Sequence, residues 1–331
     1  MKHHAPGAAA LAAVLVLVGC GTDDETNTSG GATSTSGGNA GGGGSGDGGA
    51  SPGGAGPIGG DRPVEVFVPK SYSADKPAPL VLLLHGYTAS GSLQELYFQL
   101  QPLAEEKGFL YAHPDGTKNA QNNQFWNATD ACCDFGGTDV DDSAYLEQVI
   151  HDIEAKYSVD PKRIFLAGHS NGGFMSYRMA CDHADTIAAI ASLAGAMFVN
   201  LASCKPSEPV SVLQIHGTAD DTVPYDGGAL GGIGTMIPSA KTSVEDWAGF
   251  DGCATTSTAG TPLDLALNAD ATTSSSMELP GAETQVAIYD SGCKPGGHAE
   301  LWSIQGGNHV PGLSPSFSPK LIEFLLAHPK P

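Results

Sequence analysis

The sequence predicts an α/β protein, with a mostly parallel central sheet flanked by helices. Three observations lead there. Short, continuously apolar runs such as Leu80-Val81-Leu82-Leu83-Leu84 and Val210 to Ile215 are the mark of strands buried on both faces. Segments with helical start and stop signals alternate with them. Polar clusters rich in Gly, His, Ser and Asp follow directly after several apolar runs, and in parallel sheets function gathers at the carboxyl ends of the strands.

In chain order, Val64-Glu65-Val66-Phe67-Val68 alternates and predicts an antiparallel edge strand. Leu80 to Leu84 is the first buried strand. Ser92 to Lys107 predicts a helix, with Ser92 as N-cap and Gly108 as stop, and Phe109 to Ala112 the next strand. Lys118 to Gly137 reads as an irregular, polar loop. Asp141 to Tyr157 predicts a helix whose acidic first turn suits the helix dipole and which Asp160-Pro161 ends. Arg163 to Ala167 predicts a strand and Gly173 to Ala180 the helix behind it. Thr186 to Leu193 and Val210 to Ile215 are further buried strands. Thr242 to Phe250 predicts a helix in which Thr242 and Glu245 form a capping box. Val286 to Asp290 and Ala299 to Gln305 read as late strands, and Pro315 to Leu326 as a closing helix. No repeat of solenoid length is evident.

Residues 1–20 read as an export signal: Lys2 gives a weakly positive start, and Ala8 to Val18 is an apolar run too short to span a bilayer. It ends in Leu17-Val18-Gly19-Cys20, which matches the bacterial lipobox and predicts cleavage before Cys20 and lipidation of that cysteine. Each buried CH₂ contributes roughly 0.8 kcal/mol, so a multiply acylated Cys20 holds the exported protein on the bacterial cell envelope, here read as the outer membrane. An ordinary secretory signal with an incidental cysteine is the alternative. Residues 21–60 are rich in Gly, Ser, Thr and Asn and predict a disordered linker with an r.m.s. span of about 35 Å. Residues 61–331 form the expected single folded domain, ample for a core.

The formal net charge of -21 excludes a nucleic-acid partner, which needs clustered Lys and Arg, and favours a soluble, self-repelling monomer. With Cys20 assigned to lipid, six of the seven cysteines remain, and in an exported domain these suggest up to three disulfides among 15 possible pairings. Proximity along the chain favours Cys181–Cys204 and Cys253–Cys293, leaving the adjacent Cys132–Cys133 as a vicinal pair by elimination. Metal binding is the alternative for these thiols, but no Cys/His cluster has structural-zinc spacing, and no metal or organic cofactor is expected.

Three clusters carry chemistry. Gly168-His169-Ser170-Asn171-Gly172 lies between a strand and a helix, the context that makes Gly-x-Ser-x-Gly a nucleophile elbow. A second match, Gly49-Ala50-Ser51-Pro52-Gly53, lacks that context. The strand ending at His216-Gly217-Thr218 is followed by Asp220 and Asp221; the Asp-x-x-Val-Pro pattern selects Asp220 as the acid that orients a histidine, and His216 reads as structural. Gly306-Gly307-Asn308-His309 places His309 beyond the last strand as general base, with His298 as the rival read as surface. Ser170, Asp220, His309 is the Ser…Asp…His chain order of the α/β-hydrolase fold. In that fold the backbone N–H groups of Tyr87, in His85-Gly86-Tyr87-Thr88, and of Asn171 form the oxyanion hole.

In combination, Gly168–Gly173, Phe125-Trp126-Asn127-Ala128 with Cys132-Cys133, Val140-Asp141-Asp142, His216 to Asp220 and Gly306 to His309 resemble the bacterial feruloyl esterase/polyhydroxybutyrate depolymerase-like esterases. The resemblance covers nearly all of residues 61–331 and implies an α/β-hydrolase fold, ester hydrolysis without a cofactor, and the triad Ser170, Asp220, His309. The cysteine pairs Cys181–Cys204 and Cys253–Cys293 also fit positions that such enzymes use. The chain departs from the pattern near the base, where Asn308 and Val310-Pro311 stand in place of the usual Gly-His-x-Trp-Pro.

The loop from Phe125 to Phe135 is the expected substrate wall, with Trp126 either stacking on an aromatic acyl group or packing on the core beside the cysteines, and Tyr87 presenting its ring to substrate. The function expected is a lipid-anchored serine carboxylesterase acting on feruloyl or acetyl esters of plant polysaccharide. A hydrolase of polyhydroxybutyrate or other polyester oligomers is the second possibility, and a catalytically silent binding lipoprotein the alternative of a different class.

Overall fold

The computed structural model describes residues 57–231 and 234–331. The export signal, Cys20 and the linker through residue 56 lie outside the described residues. A nine-stranded sheet organises the folded unit. Its strands are β1 (Val66–Phe67), β2 (Ala78–Leu84), β3 (Leu110–Ala112), β4 (Val159–His169), β5 (Ala189–Leu193), β6 (Ser211–Gly217), β7 (Thr258–Ala259), β8 (Thr284–Tyr289) and β9 (Ala299–Ile304), in the order β1-β3-β2-β4-β5-β6-β9-β8-β7. From β3 to β9 the pairing is parallel throughout, while β1 at one edge and β8 and β7 at the other run antiparallel. Every residue of β2, β5 and β6 is buried, as their apolar runs require of strands covered on both faces.

The helices are α1 (Gly91–Phe98), α2 (Leu100–Lys107), α3 (Asp142–Lys156), α4 (Asn171–Asp182), α5 (Ala240–Phe250) and α6 (Phe317–Ala327). Two clusters of buried apolar side chains fill the space above and below the sheet. One contains Leu80, Leu82, Leu84, Ile150 and Phe174; the other contains Val81, Leu83, Phe165, Phe98 and Leu321. The even/odd split of β2 between them is the two-residue period of a strand.

Four details differ from the sequence expectation. The helix expected over Ser92 to Lys107 is two helices, because Gln99 adopts a left-handed conformation at φ 52, and Ser90 caps the first by accepting from Leu93 N–H. Helix α5 starts earlier than expected: Ser239 accepts from Thr242 N–H, so Thr242 lies in the first turn and the Thr242–Glu245 capping box does not form. The loop after Lys118 is not polar throughout, since Phe125, Trp126, Ala128 and Ala131 are buried. The folded unit also begins before residue 61. Ile58 is buried in the core, and Gly59 N–H donates to Asp152 Oδ2 at 2.9 Å. One aliphatic side chain at the end of a glycine-rich tract suffices to anchor the chain there.

The structure joins Cys181 to Cys204, Cys253 to Cys293, and Cys132 to Cys133. The first ties the end of α4 to the segment before β6, and the second links the end of α5 to the turn between β8 and β9.

Candidate active site

The elbow is built by steric necessity. Ser170 sits between β4 and α4 at φ 54, ψ -121, a region costly for any residue with a side chain. The turn is tight because its neighbours lack side chains. A Cβ on Gly168 would lie 2.1 Å from the Gly172 carbonyl oxygen, and one on Gly172 would lie 2.1 Å from the Leu84 carbonyl oxygen. Those glycines let α4 close on the end of β2 and lift the half-buried Ser170 hydroxyl above the sheet.

Two loops at the same sheet edge bring their groups to it. Ser170 Oγ–H donates to His309 Nε2 at 2.9 Å, and His309 Nδ1–H donates to Asp220 Oδ2 at 2.8 Å. The loops are sewn together behind this line: Ala219 N–H donates to Gly307 O at 2.9 Å, and Gly306 N–H to Thr218 Oγ1 at 2.8 Å. His169 Nε2–H donates to the His309 carbonyl at 2.9 Å, and Tyr97 OH to the Pro311 carbonyl at 2.7 Å, so the backbone around His309 is held on both sides.

Asp220 is buried, with Oδ1 accepting from Thr222 N–H at 2.9 Å and Val223 N–H at 2.8 Å. Burial pushes its carboxyl up, but hydrogen bonds from His216 and His309 outweigh that and hold it well below the usual carboxylate range. Burial, reinforced by the nearby His309, lowers the pKa of His169 to about 3, so His169 is a neutral prop at physiological pH. The structure therefore brings Ser170, Asp220 and His309 together. Asp221 is exposed. His298 is half-buried at the start of β9, the opposite end of the sheet, where it pairs with Glu300 Oε1 at 2.8 Å.

The loop after β2 lies against the elbow, and a Cβ on Gly86 would lie 3.4 Å from Ser170 Cβ. Among the described residues, the N–H groups of Tyr87 and Asn171 donate to no protein acceptor. His85 is buried and pins this loop, donating from Nδ1 to Gly86 O at 2.8 Å and accepting Gly116 N–H at Nε2, 2.9 Å away. That accepting nitrogen requires a neutral ring, in keeping with burial lowering its pKa.

Trp126 does not line the site. It is fully buried, its Nε1–H donates to the His85 carbonyl at 3.0 Å, and its ring stacks on Tyr145. The expectation of a substrate-stacking Trp126 is corrected to a core residue that backs the loop after β2. Tyr87 is half-buried, edge-on to Phe135, and its hydroxyl accepts from Asn119 Nδ2 at 3.0 Å. Phe135, at the end of the loop expected as the substrate wall, is 49% exposed and supplies the large apolar surface beside Tyr87.

Sequence reasoning missed two polar anchors. The Asn171 side chain accepts Trp126 N–H at 2.7 Å and donates to the Trp126 carbonyl at 2.9 Å, fastening the disulfide-bearing loop to the elbow. Asp142, fully buried, accepts from Arg62 at 2.6 Å, Thr117 Oγ1 at 3.0 Å and Asn127 N–H at 2.8 Å. The signals for the second are the acidic helix start and the Val140-Asp141-Asp142 motif, neither of which says what the Asp142 side chain binds.

Comparison with known proteins agrees with this geometry. Residues 71–231, which contain Ser170 and Asp220, match a family described as phospholipase/carboxylesterase. The chain is 33% identical over 257 residues to feruloyl esterase B of Piromyces equi, covering 76% of this chain and 43% of that protein. It is 29% identical over 167 residues to a bifunctional acetylxylan esterase/xylanase of Neocallimastix patriciarum, covering 50% of this chain and 22% of that one. The chain thus spans less than half the length of these curated relatives. Among solved structures, an acetyl xylan esterase from Aspergillus awamori superposes with a TM-score of 0.52 at 16% identity, over 79% of this chain and 93% of that one. Esterase PE8 does so with 0.50 at 17%, over 80% and 97%. Fold and sequence together show the α/β-hydrolase fold. Within that fold its sequence is similar to feruloyl esterase B over 76% of this chain.

Proposed function

We propose that the protein is an exported, lipid-anchored serine carboxylesterase that cleaves feruloyl or acetyl esters of plant polysaccharide. One observation carries the chemistry: the unbroken hydrogen-bonded line from Ser170 through His309 to a buried, ionised Asp220. Ser170 attacks the ester carbonyl while His309 Nε2 takes its proton. Asp220 keeps His309 in the Nδ1–H tautomer and stabilises the imidazolium. The N–H groups of Tyr87 and Asn171 receive the oxyanion, each such donor being worth about 3–4 kcal/mol in the transition state. His309 returns the proton to the leaving alcohol, and water attacks the acyl-enzyme by the same route.

The polysaccharide-ester substrate is supported by the feruloyl and acetylxylan esterase relatives and by the aromatic pair Tyr87 and Phe135 beside the oxyanion loop. Export is supported by three disulfides, which persist in oxidising compartments. The anchor rests on the Leu17-Val18-Gly19-Cys20 sequence, and Cys20→Ala is expected to release the protein from membranes.

The test compares wild type and Ser170→Ala on methyl ferulate, p-nitrophenyl acetate and a hydroxybutyrate oligomer. Ferulate and acetate release that disappears in the variant is expected. Activity on the oligomer alone would overturn the substrate and keep the mechanism. Equal rates for both proteins on every ester would favour a binding lipoprotein.

A further inference from the structure

His216 is fully buried and lies at the end of β6, four residues before Asp220. Its surroundings settle which nitrogen carries the proton. Tyr177 OH donates to Gln214 Oε1 at 3.0 Å, and Gln214 Nε2 donates to the Gly195 carbonyl at 2.8 Å. The Gly195 contact fixes the orientation of the Gln214 amide, since a backbone carbonyl oxygen only accepts and must face the amide hydrogens. Gln214 Nε2 therefore also donates to His216 Nδ1, 3.0 Å away. The hydrogen of His216 is on Nε2, which faces two acceptors, the Val223 carbonyl at 2.8 Å and Asp220 Oδ2 at 3.2 Å. The same Oδ2 accepts from His309.

We propose that His216 is a positioning residue: held as its Nε2–H tautomer by Gln214, it donates a second hydrogen bond to Asp220 and fixes the carboxylate on which His309 turns. Tyr177 belongs to α4, the helix that begins at the elbow, so the polar chain closes on itself. It runs from Ser170 along α4 to Tyr177, then through Gln214, His216 and Asp220 to His309 and back to Ser170. A displacement of the acid loop relative to the nucleophile breaks a buried hydrogen bond in this ring, which keeps the triad in register. The groups facing Asp220 are His216 and His309, with His169 behind His309; Tyr225 packs edge-on against the His216 ring and its hydroxyl is engaged by Ser303.

The role rests on the triad proposed above, and the test separates the two. Ser170→Ala, His216→Met and His216→Gln are compared with wild type on p-nitrophenyl acetate across pH. Methionine removes the donor, and glutamine supplies an N–H at similar reach. His216→Met is expected to lower kcat about tenfold with KM little changed. It is also expected to move the acid limb of kcat/KM up by roughly half to one pH unit, because a carboxylate with one donor fewer holds the proton on His309 more tightly. Glutamine is expected to restore the limb and most of kcat. A full loss of activity in Ser170→Ala with an unmoved acid limb in His216→Met would overturn the role of His216 alone, whereas retained activity in Ser170→Ala would overturn the triad. If His216→Met does not fold, ¹⁵N NMR of the wild-type enzyme decides: the neutral His216 ring is expected to carry its hydrogen on Nε2, and an Nδ1–H tautomer would overturn the proposal.

Discussion

Replacing Asn171 by Ala isolates the contribution of its side chain. The amide makes two hydrogen bonds to one residue, accepting Trp126 N–H at 2.7 Å and donating to Trp126 O at 2.9 Å. Both residues are fully buried, so truncation leaves the Trp126 N–H without a partner and takes one of two donors from the Trp126 carbonyl, which keeps Cys133 N–H at 3.2 Å. The orphaned N–H costs about 1–3 kcal/mol and the second lost hydrogen bond about 1 kcal/mol, so a total of about 3 kcal/mol is expected. For a domain of this size each kcal/mol corresponds to roughly 2–4 °C, so Tm falls by roughly 6–12 °C. The assay is thermal unfolding followed by circular dichroism at pH 7.5, with the disulfides intact. Asn171→Asp sharpens it: Oδ1 is retained for Trp126 N–H, but the second oxygen now faces the Trp126 carbonyl, so this variant is at least as unstable as the alanine at neutral pH. An Asn171→Ala protein within about 0.5 kcal/mol of wild type, or an Asn171→Asp protein more stable than wild type, would refute the anchoring role.

Asp220→Asn is expected to fold and to lose about 10⁴-fold in kcat, measured on p-nitrophenyl acetate. Thr222 and Val223 N–H groups keep the amide oxygen at Oδ1, so the new NH₂ faces His309 and forces its proton to Nε2, where it blocks uptake from Ser170. The depressed pKa of His169 sets an acid limit on stability: its contribution is fully present above the unfolded value of about 6.5 and is lost as pH falls from there toward about 3. His169→Gln, which retains a donor for the His309 carbonyl, is expected to show a shallower fall in Tm between pH 6.5 and 4. Removing the Cys181–Cys204 bridge, which spans a sequence separation of 23, by a double Ser substitution is expected to cost about 3 kcal/mol in urea unfolding.

The motifs that were legible in the sequence are those whose spacing is fixed by local backbone chemistry. Gly168, Ser170 and Gly172 encode the elbow because no larger residue fits, and His309 follows the last sheet strand on a loop that Gly306 turns at φ 77. Asp220 was separable from Asp221 because the two N–H acceptances at Asp220 form a local turn. What stayed hidden depends on residues far apart in the chain. Asn171 reads as a spacer inside Gly-x-Ser-x-Gly, and only the fold brings Trp126 to it across 45 positions. Trp126 looked suited to a substrate wall because composition does not say which way a loop residue points; its Nε1–H finds the His85 carbonyl 41 positions away. By contrast, the break at Gln99 has a signal in Pro102, which cannot donate to the Phe98 carbonyl and so suits the first turn of α2 rather than the middle of one long helix.

Covalent labelling tests the central claim most directly. The protein is treated with a fluorophosphonate ester, residual activity on p-nitrophenyl acetate is followed, and the adduct is located by peptide mass spectrometry. One adduct per chain on Ser170, forming in step with the loss of activity and absent from His309→Ala, is the expected result. An adduct elsewhere, or full activity with Ser170 phosphonylated, would contradict the account.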